Sequence, residues 1–328
     1  MKALVTGGTG FIGSHLAEHL EKRGFEVYCT VRDMNKLKWL EGKPYKFVHT
    51  SLLDETSLKD TISKVDYIFH VAGVIAARNY EEFLRGNRDV TTNLLNCVQK
   101  YNPNIKRLVY VSSQTVAGPS QSLENPLNEE SPCKPLTLYA KSKKAAEEEV
   151  IKLGNSFKYT IIRPSGVFGP RDYSIFPLFK SVKYNIGTMM GFEAQYLNLA
   201  YPADLCRGII DAALSNKTIS QLYFLTSEET CKYSDLIDLV KKAYGKKYIL
   251  KIKIPKSLFL SIAAISGLAS KAVNKPSVFN YEKGIDLIQK YWTCSVEKAK
   301  RDFGYKQEVS MEQAIKETVI WYKQNRWL

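Results

Sequence analysis

The stretch Thr6-Gly7-Gly8-Thr9-Gly10-Phe11-Ile12-Gly13 constrains this 328-residue chain more than any other part of it. An apolar run at residues 3–6 leads into it. Apolar residues at helical spacing (Phe11, Ile12, Leu16, Leu20) lead out and stop at Gly24. Strand, glycine turn and helix are therefore predicted in immediate succession. Gly8, Gly10 and Gly13 have G-x-G-x-x-G spacing, so the backbone can approach a pyrophosphate closely. The first helical turn adds free N–H groups and the positive end of its dipole. The expectation is a dinucleotide cradle formed by Gly7, Gly8, Thr9, Gly10, Phe11, Ile12 and Gly13.

Further short apolar runs at 27–31, 46–50, 67–71, 108–112 and 159–162 alternate with helix-length segments such as 137–153. That order predicts an α/β fold, a parallel sheet covered on both faces. After Pro164 the pattern loosens, with turn signals at Gly166, Gly169-Pro170 and Gly187. A smaller C-terminal lobe is expected there, dividing the chain at 1–165 and 166–328 and rejoining the first part near 200–226. No Gly/Ser-rich linker separates the two, so they should share a cleft.

The second predicted strand ends Thr30-Val31-Arg32-Asp33. Arg32 can pair with a 2′-phosphate, with Lys36 in reach, which favours NADP(H). Asp33 can serve as the acid that holds an unphosphorylated ribose, which keeps NAD(H) open. The net charge of +14 suits a phosphorylated cofactor or an anionic lipid, while no nucleic-acid motif accompanies it. Six scattered cysteines and four histidines show no metal or redox spacing, so reduced thiols, a cytoplasmic location and no metal are expected. The opening leaves no room for a signal peptide, and the run 258–269 is shorter than the ~20 residues of a membrane span.

One Tyr-x-x-x-Lys pair occurs, Tyr139 with Lys143, inside the predicted 137–153 helix. The spacing puts phenol and ammonium on one face. A phenol is a poor acid or base at neutral pH until a nearby cation favours its ionised form, the part expected of Lys143. Together with the glycine turn, Val111-Ser112-Ser113 and Arg163-Pro164-Ser165-Gly166-Val167-Phe168-Gly169-Pro170, the pair resembles the extended short-chain dehydrogenase/reductase family over essentially the whole chain. The resemblance implies a doubly wound Rossmann sheet with a substrate lobe. It makes Tyr139 the general acid/base, Lys143 the ribose ligand, and Ser113 the group that orients the reacting oxygen, with Ser112 as its substitute. Asn87 matches the asparagine that begins the helix after the fourth strand, Pro164 the residue beside the nicotinamide, and Ala72 a further cofactor contact. Ser51 and Leu52 stand where relatives carry Asp-Leu against adenine. Dimerisation through two helices is also implied.

That family spans ketone reductases, sterol and lipid alcohol dehydrogenases, and nucleotide-sugar epimerases or dehydratases with tightly bound NAD. The sugar-nucleotide enzymes carry an Arg six or seven residues before the Asp that matches Asp204, and here Leu197 stands in that place, with Arg171 or Lys183 as substitute cations. An apolar ketone or secondary alcohol is therefore the favoured substrate, and a sugar nucleotide the alternative. From Leu239 to Tyr281 nine lysines occur without one acid, enclosing the apolar run 258–269. This composition fits an element resting peripherally on an anionic membrane, on its inner face, through 241–275. It equally fits a buried lobe helix beside a solvated lysine face. A third expectation is a protein that binds NADP without turning it over, against which the Tyr139, Lys143 and Ser113 set argues.

Overall fold

The computed structural model describes residues 1–272 and 279–328. Seven parallel strands form the central sheet: β1 (Lys2–Thr6), β2 (Glu26–Val31), β3 (Lys46–His49), β4 (Tyr67–His70), β5 (Arg107–Val111), β6 (Tyr159–Pro164) and β7 (Gln221–Leu225). Their spatial order is β7-β6-β5-β4-β1-β2-β3. β4, β5 and β6 are buried along their whole length, which is why their apolar residues stand side by side, as in Leu108 to Val111, rather than alternating with exposed polar ones. The order reverses between β1 and β4, opening a crevice at the carboxyl ends of those strands.

Helices α1 (Phe11–Lys22), α2 (Glu55–Ile62), α3 (Val90–Tyr101), α4 (Leu138–Leu153) and α5 (Pro202–Leu214) cover the sheet. Leu16 and Leu20 of α1 share one apolar layer with Leu205 and Ile209 of α5. Leu58, Leu94, Ala146 and Val150 of α2, α3 and α4 form the layer on the opposite face. Local chemistry sets the boundaries. Gly24, at φ +77°, ends α1 in a left-handed turn. Asp54 caps α2 by accepting from Thr56 N, and Thr137 caps α4 by accepting from Ala140 N.

The second lobe packs helices Phe176–Lys183, Tyr233–Ala243 and Met311–Gln324 around Phe179, Ile237, Ile315 and Tyr322. It also holds a parallel pair of strands, Ile186–Met190 with Leu250–Ile254, and the successive helices Lys256–Ala272 and Tyr281–Leu287. The chain rejoins the sheet through α5 and β7. It does so a second time through the helix Glu297–Phe303, whose Ala299 sits in the α1/α5 layer together with Tyr305. Polar and aromatic contacts lock the lobes together. Arg171 donates to Ser14 Oγ at 3.0 Å and to Glu18 at 2.9 Å. Trp39, from the β2–β3 connection, meets Trp321 with ring centroids 5.6 Å apart and Trp327 at 6.3 Å.

The lysine-rich run is less one-signed than its sequence. Lys241 and Lys251 reach Asp238, Lys242 reaches Glu312 and Lys256 reaches Glu193, all acids from outside the run. Lys247 and Lys253 make no ion pair among the described residues; Lys275 and the side chain of Lys271 lie outside them. No helix among the described residues is long and apolar enough to cross a membrane.

Candidate active site

The residues singled out in the sequence converge on the carboxyl ends of β1 to β6. The glycine turn follows β1. Gly7 has φ +73°, and a Cβ there would sit 2.8 Å from Ala72 N; one on Gly13 would sit 2.2 Å from the Gly7 carbonyl oxygen. Both close approaches need glycine. Gly10 caps α1 with no side chain bonded over it, and no acid occupies the first turn, so the leading N–H groups of α1 face the crevice uncapped. The cradle thus fits the pyrophosphate of a dinucleotide, with Ala72 lining its far side through a bond from its N–H to Thr6 Oγ1.

At the end of β2 the Arg32 guanidinium is exposed and makes no ion pair among the described residues. Asp33 is engaged locally, accepting from Asn35 N at 2.9 Å and pairing with Lys36 at 3.0 Å, and these bonds hold its carboxyl below the usual range. Ser51 is exposed after β3, and the Leu52 carbonyl is taken up by Asn93 Nδ2 at 2.8 Å.

Asn87 does not start a helix, contrary to the sequence expectation. It lies in a π-helical turn, Arg85–Asp89, continuous with its neighbours, and Asn79 supplies the cap upstream. Its buried amide instead clamps the loop after β4, accepting from Val74 N at 2.8 Å and donating to the Val74 carbonyl at 3.1 Å. It also donates to Ser142 Oγ at 2.8 Å, which bonds the Tyr139 carbonyl at 2.7 Å. One side chain thereby ties the β4 loop to the helix of the Tyr-Lys pair. Beneath it His70 is fully buried, its pKa lowered by desolvation to about 3, and so neutral. Thr91 gives its own proton to the Asn87 carbonyl, so His70 Nε2 donates to Thr91 Oγ1 and His70 Nδ1 accepts from Thr6.

α4 places Tyr139 and Lys143 one turn apart, beside Ser113 at the end of β5. Ser113 Oγ accepts from Thr115 N at 3.2 Å and from Thr115 Oγ1 at 2.9 Å, which leaves its own hydrogen free. That hydroxyl faces the Tyr139 phenol and draws its pKa down, whereas burial pushes the phenol up to about 12. Ser112 is buried, with its Oγ unpartnered among the described residues. Lys143 does not perform the expected depression of the phenol in this arrangement. Its ammonium donates to the Val111 carbonyl at 2.9 Å and lies 4.3 Å over the Tyr110 ring, and desolvation brings its pKa to about 7. Pro164 ends β6, in register with Leu225.

A stability test follows. Folding lowers the Lys143 pKa, so the unfolded chain binds the extra proton between about pH 7 and the ordinary lysine range, and stability rises with pH through that window. Lys143→Met should raise the Tm of the cofactor-free protein near ~pH 6 and lose that advantage near ~pH 10. Thermal unfolding at both values checks it; a pH-independent difference contradicts it.

The second lobe contributes carboxyls that no motif announced. Asp286, on the helix Tyr281–Leu287, is buried, and its charge acts on the Tyr139 phenol. Lys283, one turn earlier, acts on both Asp286 and the buried Asp172. Arg171 is committed to α1 and is not free to serve a substrate diphosphate. Asp204 binds Glu308 N and Val309 N, pinning the C-terminal segment.

A family model described as NAD dependent epimerase/dehydratase family matches residues 3–223. The chain is 29% identical to a sterol-4-alpha-carboxylate 3-dehydrogenase (decarboxylating) of Candida albicans, over 98% of this chain and 97% of that one. It is 24% identical to a 4-hydroxy-2-methyl-3-oxo-4-farnesyl-3,4-dihydroquinoline-1-oxide ketoreductase of Stigmatella aurantiaca, over 96% and 95%. Its fold is similar to that of a UDP-glucuronic acid 4-epimerase from Bacillus cereus solved with NAD, with a TM-score of 0.80 at 21% identity and 99% coverage of both chains.

Proposed function

Because the chain belongs to the NAD dependent epimerase/dehydratase family, and is thus an NAD(P)-dependent enzyme, we propose that it is an NADP(H)-dependent oxidoreductase interconverting a ketone and a secondary alcohol on an apolar substrate. The observation that carries this reading is the Ser113 hydroxyl, filled as an acceptor by Thr115 so that it is left to donate, beside the Tyr139 phenol whose pKa it draws down. Two hydroxyls side by side at the end of β5 can hold one carbonyl oxygen. Tyr139 gives it a proton on reduction and takes one from the alcohol on oxidation, while Ser113 donates a hydrogen bond to it throughout. The dinucleotide, when bound, supplies the hydride donor or acceptor. Gly7 to Gly13 would hold its pyrophosphate, and Lys143, here bonded to the Val111 carbonyl, would offer its ammonium to the ribose.

Three features favour an apolar substrate over a sugar nucleotide. Leu197 is neutral where a diphosphate would need a cation, and Arg171 is tied to Ser14 and Glu18. The 29% identical relative is named for a sterol. The phosphorylated cofactor is favoured by the unpaired Arg32 and the locally occupied Asp33. Arg32→Ala should weaken NADP(H) binding on the order of tenfold relative to NAD(H), about the value of one charged hydrogen bond. Titrating both cofactors against both proteins measures it, and an unchanged ratio removes Arg32 from the site.

An anionic bilayer is the docking surface we assign to the helix Lys256–Ala272. Leu258, Ile262, Ile265 and Leu268 are exposed on it, the last two at 65% and 64%, beside the exposed Lys253 of the neighbouring strand. Flotation with phosphatidylserine vesicles and not with phosphatidylcholine alone is the expected result.

The deciding experiment is NADPH oxidation with a panel of keto-lipids, sterol ketones and nucleotide sugars, alongside identification of any nucleotide released on denaturation. Oxidation with an apolar ketone supports the proposal. Tightly held NAD with isomerised sugar nucleotide would establish the epimerase reading in its place.

A further inference from the structure

Asp286 is 7% exposed, and its Oδ1 has no hydrogen-bond partner among the described residues. A buried carboxyl left in that state costs stability and calls for a reason. The Trp292 indole donates at 2.7 Å to the Asp286 main-chain carbonyl instead of to its side chain. The helix that carries it is moored to the catalytic helix, because Glu282 accepts from Leu138 N at 2.5 Å, next to Tyr139 in the chain. Close packing behind Gly284, where a Cβ would meet Ala263 and Leu260 at 3.1 Å, fixes the same helix from the other side.

We propose that Asp286 is a positioning residue of the active site, a carboxyl that the second lobe sets against Tyr139 so that the phenol holds its proton until substrate is in place. The assignment rests on Tyr139 as the acid–base group. The charged groups that bear on Asp286 are Lys283 and Glu282 on its own helix and Tyr139 on α4, with Asp172 reached through Lys283. Burial lifts the Asp286 carboxyl to about 6, so above that pH it carries an ill-solvated charge which opposes formation of a phenolate beside it. Its Oδ1 has no hydrogen bond among the described residues to stabilise that charge, and Lys283 offsets it only in part.

Asp286→Asn and Asp286→Glu test this in two ways. In the substrate-free protein the raised carboxyl costs stability above about pH 6, so the Tm of Asp286→Asn should improve relative to wild type between pH 5 and pH 8. With a 3β-hydroxysterol and NADP as probe, the pH at which kcat/KM for oxidation stops rising should move down on the order of one pH unit in Asp286→Asn. It should stay in place in Asp286→Glu. Rates that fall equally at every pH, or a Tm gap that widens while the inflection stays put, overturn the assignment. Tyr139→Phe serves as the control: if it keeps turnover, the acid–base reading has failed and this one falls with it. An inactive Tyr139→Phe with an unmoved Asp286→Asn profile is failure of this proposal alone.

Discussion

Tyr139→Phe is expected to lose turnover by on the order of 10³-fold while cofactor affinity is kept, the loss of a general acid being worth 10²- to 10⁴-fold. The substitution removes one oxygen and little else. The ring stays against Phe83, 6.2 Å between centroids, and α4 keeps its Thr137 cap. Ser113 remains bonded to Thr115 and can still orient a carbonyl, so binding of an apolar ketone should change far less than kcat. Single-turnover kinetics with cofactor titration separate the two. A variant within tenfold of wild type would remove the phenol from the reaction.

Arg163→Met is expected to destabilise the protein by about 3–5 kcal/mol, the usual result of stripping one partner from a buried ion pair. Arg163 and Glu147 are each 4% exposed and joined by two bonds of 2.9 and 2.6 Å. Removing the guanidinium leaves a carboxylate facing the underside of the site, where its charge already supports the Lys143 ammonium. The double variant Arg163→Met with Glu147→Leu should recover part of the loss, since the stranded carboxylate is gone, and recover more above about pH 7, where Lys143, deprived of its Glu147 partner, is neutral. Denaturant unfolding of the three variants provides the comparison. A double variant no better than the single would mean that the pair is held by packing and not by charge.

The part of this site that is local in the chain could be read from the chain. The glycine turn and the four-residue step from Tyr139 to Lys143 each depend on neighbours within a few residues, where the helical period and turn chemistry act directly. What escaped depends on partners far away in sequence. Lys143 turns to the Val111 carbonyl, 32 residues away, and not to the phenol four residues off. Asn87 carries the residue type of a cap but spends its amide on Val74 and Ser142, which periodicity cannot show. The lysine run looked one-signed because Glu312 and Glu193 meet it only after folding, and because Asp238 stands one residue outside its bounds. Asp286 sits in a short helix with no motif, and its only signal is a missing hydrogen bond.

The aromatic junction between the lobes has a practical side. Trp39, Trp321 and Trp327 lie within 6.3 Å of one another, with the Arg171 guanidinium 5.3 Å over Trp39. Trp39 belongs to the same connection as Arg32 and Lys36. The fourth indole, Trp292, is bonded to Asp286. Light absorbed by the indoles is therefore emitted from two places among the described residues, the aromatic seam between the lobes and the flank of the helix that carries Asp286. Reduced nicotinamide absorbs where indole emits, so the protein carries its own optical gauge, dimming as the reduced cofactor settles in and brightening as it is spent.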